Sequence, residues 1–208
     1  MVADPWAEAV RQQLRLGRVL PLGGADEDLW ISEAAVAAAL RHAAAAAGLG
    51  LRVDAVRVAP ARSDEPRGPS RVEVDFAAPG DLPFPRTADR LRDALAAATE
   101  DRLGLAVAVM DLRVTALLDA PAPDEAPPHA PDPAPAPADG AGRAALSVPG
   151  AARLAPALID PRRDDWQQIA VAPGYRALDV ARAVRAAVPT AVLVTAVDQP
   201  PVHPGPPR

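Results

Sequence analysis

Five carboxylates are the only side chains whose placement invites a chemical reading. Asp26, Glu27 and Asp28 stand together after Gly23-Gly24, and Asp119 and Asp198 each follow a Val-rich stretch. Paired carboxylates serve general acid and base work when their surroundings push their proton affinities apart. Adjacent acids also attract hard cations. The alternating ligand spacing of an EF-hand loop is absent from Asp26 to Asp28, however, and a solvated turn accounts for them. No Gly-rich phosphate loop, nucleophile elbow or His/carboxylate metal set accompanies these acids. The chain has no Cys, which removes thiol nucleophiles, disulfides and Cys-based zinc sites. His42 stands alone in a helical stretch, and His129 and His203 lie in Pro-rich segments. The sequence thus nominates no catalytic, cofactor-binding or metal residue. A small-molecule enzyme subunit built on the five acids is the lesser reading.

The elements that would position such residues come from composition and periodicity. The chain has 208 residues, half of them hydrophobic and only 3% aromatic. Its core must therefore be Ala, Val and Leu, each burying little area at about 25 cal/mol per Å². All 22 basic residues are Arg, and Lys and Asn are absent. That usage fits a high-G+C genome. The net charge of −5 is mixed along the chain, which disfavours nucleic-acid binding. The N-terminus lacks the charged and apolar regions of a signal peptide. No apolar stretch is long enough to span a bilayer. A cytoplasmic protein is the expectation, with the membrane periphery a further option.

Asp4-Pro5 predicts a first helix over about 5–16, with Trp6, Val10 and Leu14 on one face. Trp6 reads as a docking residue, in preference to a membrane-surface anchor. Arg18 to Leu22 reads as a short strand. Leu29 to Ser32 reads as the opening of a second helix, with Ser32 as its cap and Val36, Leu40, Ala43 and Ala47 as its stripe. Strands are predicted over Leu51 to Ala59 and Val72 to Ala77, joined by a long polar hairpin loop. In the second, Val72, Val74 and Phe76 face one way and Arg71, Glu73 and Asp75 the other. A helix from Pro85, lined by Ala88, Leu91, Leu95 and Ala98, stops at Gly104. The longest strand follows, Leu105 to Leu118. Its apolar phase slips between Val109 and Met110, which predicts a bulge.

Asp119 to Gly142 is rich in Pro and Ala and predicts a disordered linker without helix or interior strand. Beyond it, a helix remnant or loop precedes a short strand near Leu154. Then come a strand over Trp166 to Val171, a helix opened by Asp179, and a strand over Ala191 to Val197. The two halves share a pattern: VEVDFAAPG, helix, VAVMDLRVTALLD, and QIAVAPG, helix, AVLVTAVD. The expected fold is α+β: a small mixed sheet with amphipathic helices on one face, built from two diverged strand–helix–strand units. The expected organisation is 1–118, a linker over 119–142, a shortened second unit over 143–198 that packs on the first, and a tail over 199–208.

Ile31-Ser32-Glu33, the Ala-rich stretch to Gly48, and the series Gly104, Val107, Met110, Asp111, Leu112, Val114 and Leu117 carry a resemblance. Residues 29–118 resemble the alkaline-shock and general-stress family of envelope-stress-response proteins, and 144–198 do so weakly. The opening QQLRLGRVLPLGG, Gln12 to Gly24, also looks like actinobacterial chains labelled after the nucleopolyhedrovirus fibrillar ten-kilodalton protein. The first resemblance implies a small α+β domain without enzymatic chemistry. It also implies a protein partner, such as a membrane-anchoring protein. The expected function is a non-enzymatic interaction or scaffold protein of the cell envelope. A regulatory adaptor acting through the Pro-rich linker is the alternative.

Overall fold

The computed structural model describes residues 16–24, 26–122, 140–155 and 166–200. The first predicted helix up to residue 15, the body of the Pro-rich linker and the last eight residues lie outside these. So do Trp6, His129 and His203.

The class is α+β, and the strands divide between two mixed sheets where one was expected. The three-stranded sheet runs β3-β4-β5: β3 is Arg52–Pro60, β4 Ser70–Pro79 and β5 Val107–Leu118. Strand β3 is antiparallel to β4, and β4 is parallel to β5. The five-stranded sheet runs β1-β2-β8-β7-β6: β1 is Val19–Pro21, β2 Leu29–Ser32, β6 Ala151–Leu154, β7 Gln167–Val171 and β8 Val192–Val197. Here β6 is antiparallel to β7, while β8 lies parallel to both β7 and β2. Strands β1 and β2, from the first half of the chain, therefore complete the sheet of the second unit.

Four helices are described: α1, Glu33–Ala46; α2, Phe84–Ala97; α3, Gly140–Leu146; and α4, Ala177–Ala187. Each unit is thus a helix, two antiparallel strands, a second helix and a strand parallel to its predecessor. The units read α1-β3-β4-α2-β5 and α3-β6-β7-α4-β8. One hydrophobic core runs through both, from Val72, Val74 and Phe76 of one sheet to Ile31, Ile169 and Val194 of the other. Helix α1 packs on β3, β8 and α2 together. It therefore buries Ala35, Ala37 and Ala39 besides Val36 and Leu40, more than the single predicted stripe. Its Ala side chains let the neighbouring elements approach closely.

Several local expectations are corrected. Leu29 to Ser32 is strand β2, because pairing with β8 on one side and β1 on the other satisfies its backbone. Ser32 does cap α1, its hydroxyl accepting the Ala35 N–H at 3.1 Å. The helix before Gly104 is α-helical only to Ala97 and continues as a π-helix over Ala98–Leu103. The wider turn buries Ala98, Thr99 and Leu103, and the Thr99 hydroxyl donates to the Ala96 carbonyl at 2.7 Å. Arg176, not Asp179, holds the N-cap position of α4, without a side-chain cap bond, and Asp179 lies in the first turn. The last three residues assigned to the linker, 140–142, belong to α3. The slip in β5 falls one residue earlier than predicted: Ser70 faces Val107 and Arg71 faces Val109, leaving Ala108 out of register.

Candidate interaction surface

The five acids do not converge. Glu27 holds Arg182 of α4 through two bonds, 2.7 and 3.0 Å. The Arg182 bonds, and then the Gly24 N–H, hold its carboxyl below the ordinary value. Asp28 pairs with Arg67 at 3.2 Å. Asp26 is exposed. Asp198, after β8, pairs with Arg153 of β6 at 2.6 Å. Asp119 is exposed beyond β5, in the other sheet. Glu27, Asp28 and Asp198 thus tie loops, strands and α4 together. His42 is half-buried on α1, and burial first, then the Arg102 charge, lowers its pKa. Among the described residues, no group of three or more His, Cys, Asp or Glu could hold a metal ion.

The outer face of the three-stranded sheet is a lattice of ion pairs. Alternation along β4 places Arg71, Glu73 and Asp75 on this face, opposite Val72, Val74 and Phe76 in the core. Asp75 accepts two bonds from Arg113 of β5, 2.9 and 3.0 Å, and one from Arg57 of β3, 3.1 Å. The Arg113 bonds lower its pKa most, burial opposes them, and Arg57 adds to the lowering. Arg71 bridges Glu73 and Asp111. With its charges paired in place, this face offers no free carboxylate cluster among the described residues.

The two edges of that sheet differ. At β3, the Glu33 carboxylate accepts the Val58 N–H at 3.2 Å, and α1 packs alongside. At β5, no described strand pairs with the outer side. Bulges at Ala108 and Thr115 leave Val109 to Val114 as its regular segment. Met110 and Leu112 point to the core side and are only half-covered. Val109 and Val114 are exposed, and Leu117 is 63% exposed. A cleft of about 540 Å³ runs beside the start of the strand, between Val107 to Met110 and the wall of Arg92, Ala96 and Thr99, with Arg176 at one end.

The equivalent strand of the second unit is closed. Strand β8 has β7 on one side and β2 on the other, and its side chains are mostly buried. The sequence marks β5 as the longest strand but carries no local sign that no described strand pairs with its outer side. Edge status depends on which distant segment pairs where, and β2 went to β8. The descriptions of protein families, the curated proteins and the solved structures gave no match to this chain.

Proposed function

We propose that the chain is a non-enzymatic interaction protein whose recognition element is the open edge of β5. The observation that carries this reading is the difference between two equivalent strands. Strand β8 is covered by β2, whereas β5 presents twelve residues of backbone edge flanked by half-covered apolar side chains. Such an edge is a template for an added strand, with main-chain bonds giving affinity and alternate side chains giving selectivity. The neighbouring cleft offers room for the side chains of that strand. A role at the cell-envelope periphery, in stress response and with a membrane-anchoring protein as partner, rests on the sequence resemblance. Among the described residues no helix is long and apolar enough to cross a membrane.

A photo-reactive residue in place of Leu117, introduced in cells before and after envelope stress, tests the proposal. The same residue in place of Asp64, in the exposed hairpin loop, is the control. Protein adducts from position 117 and none from position 64 support it. No adduct at 117, or equal adducts at both, overturns it.

A further inference from the structure

We propose that the strand closing this edge is β5 of a second copy, antiparallel, about a two-fold axis through Leu112. This rests on the reading of β5 as the recognition strand and names its occupant. The register follows from charge. Along the regular segment, Val109, Asp111 and Arg113 share the outer face with Arg71, Glu73 and Asp75; alternation puts Met110, Leu112 and Val114 on the core side, the first two half-covered and Val114 exposed. A two-fold axis perpendicular to the sheet keeps outer face with outer face, so it must pass through a residue rather than between two. An axis at Asp111 sets two carboxylates directly opposite, and an axis at Arg113 sets two guanidinium groups opposite; both are unfavourable.

An axis at Leu112 sets Asp111 opposite Arg113 of the other copy, twice. It places Leu112 against Leu112 and Met110 against Val114 on the core side. The ion-pair lattice then continues unbroken across six strands, with Asp75–Arg113 at 2.9 Å of one copy meeting Asp111 of the other. The half-covered apolar stripe is covered by the same stripe in its mate. The contact is isologous and closes at two copies. It removes the one long strand edge of the smaller sheet that no described element blunts.

The absence of Cys makes the test direct. In an antiparallel pair, facing residues have Cα atoms about 4.5–5.5 Å apart, within the span a disulfide bridges. Leu112→Cys should therefore form a disulfide-linked dimer under mild oxidation. Met110→Cys alone should not, because its copies would lie about 13 Å apart, four residues along the strand. A mixture of Met110→Cys and Val114→Cys should link. The unmodified chain should sediment as a dimer, with Asp111→Arg reducing that fraction at least several-fold. An unmodified chain that sediments as a monomer throughout, or links that fit another register, overturns the inference. If photo-adducts from position 117 then go to other proteins, the recognition strand stands and only its occupant is wrong. If position 117 gives no adduct either, both fall.

Discussion

Thr115 and Thr195 stand at equivalent places in two units of the same element order. Phe76 faces Val114 and Ala77 faces Ala116, so Thr115 is left out of the parallel register. Ile169 faces Val194 and Ala170 faces Ala196, so Thr195 is left out in the same way. Both bulges fall in the triplet Val-Thr-Ala, and both interrupt the strand that follows the unit's second helix. A shared irregularity marks common construction more sharply than shared helices and strands, which many folds combine. The two differ in what they meet. The Thr195 carbonyl accepts the Ser32 hydroxyl at 3.2 Å, where β2 passes into α1. The Thr115 hydroxyl reaches only Asp54 on the exposed face.

Ser32 therefore does two jobs, capping α1 and holding the β8 bulge, and it is fully buried. Ser32→Ala should lower stability by about 1–2 kcal/mol, from the lost cap and the unsatisfied groups left behind. Urea unfolding of the full chain measures it. A change within the error of extrapolation would show that neither bond matters.

Gly104 joins the two units. It has φ +72°, and a Cβ there would lie 2.5 Å from the Leu178 Cβ of α4. Beside it, Arg176 donates to the Glu100 carbonyl at 2.8 Å. Gly104→Ala should cost about 2 kcal/mol or more, from left-handed strain plus the clash. Gly48 shares the left-handed backbone, at φ +61°, but a Cβ there would meet open space. Gly48→Ala should cost only about 1 kcal/mol. Equal costs at the two positions would mean that the contact with α4 is loose.

Asp75 predicts a pH dependence. Its carboxyl is held below the ordinary carboxylate range, chiefly by Arg113. A lowered folded-state pKa contributes stability that is present above the unfolded value and is lost as pH falls through the folded value. The stability gap between the unmodified chain and Asp75→Asn should hold from neutral pH down to about 4 and narrow below it. Urea midpoints across that range measure the gap. A gap independent of pH would detach it from this carboxylate. NMR titration should also show the Asp75 carboxyl rising in Arg113→Ala.

Residues 1–118 should not fold cooperatively alone. Without β8, strand β2 loses its parallel partner, and Leu29, Ile31, Val36 and Leu40 lose part of their cover. Calorimetry of that fragment should show no transition like that of the full chain. A melt matching the full chain would mean that the core is divisible.

Periodicity made much of this legible. The alternation of Val72, Val74 and Phe76 against Arg71, Glu73 and Asp75 describes β4 as it stands. The Gly104 exit and the repeated strand–helix–strand pattern are local signals, and they survive. Strand β2 was hidden because Leu29 to Ser32 is four residues long and runs straight into a capped helix. Its strand character comes from β8, more than 150 residues away. The phase slip in β5 was visible in side-chain pattern, but its position at Ala108 depends on β4. The repeated Val-Thr-Ala triplet was a usable sign of the second bulge. The open edge of β5 had no local sign at all, since it is defined by what does not pair there.

Amide hydrogen exchange across a wide dilution series reads the outer edge of β5 against β8 in one experiment. Strands β5 and β8 are equivalent in construction, but of the two only β8 has described strands on both sides. The account predicts that β8 amides stay protected at every dilution. Protection along Val109 to Val114 should rise with concentration, or on addition of a captured partner, without a matching rise elsewhere. Protection of β5 that is unaffected by concentration and by partner, or that rises first on another surface, would contradict it.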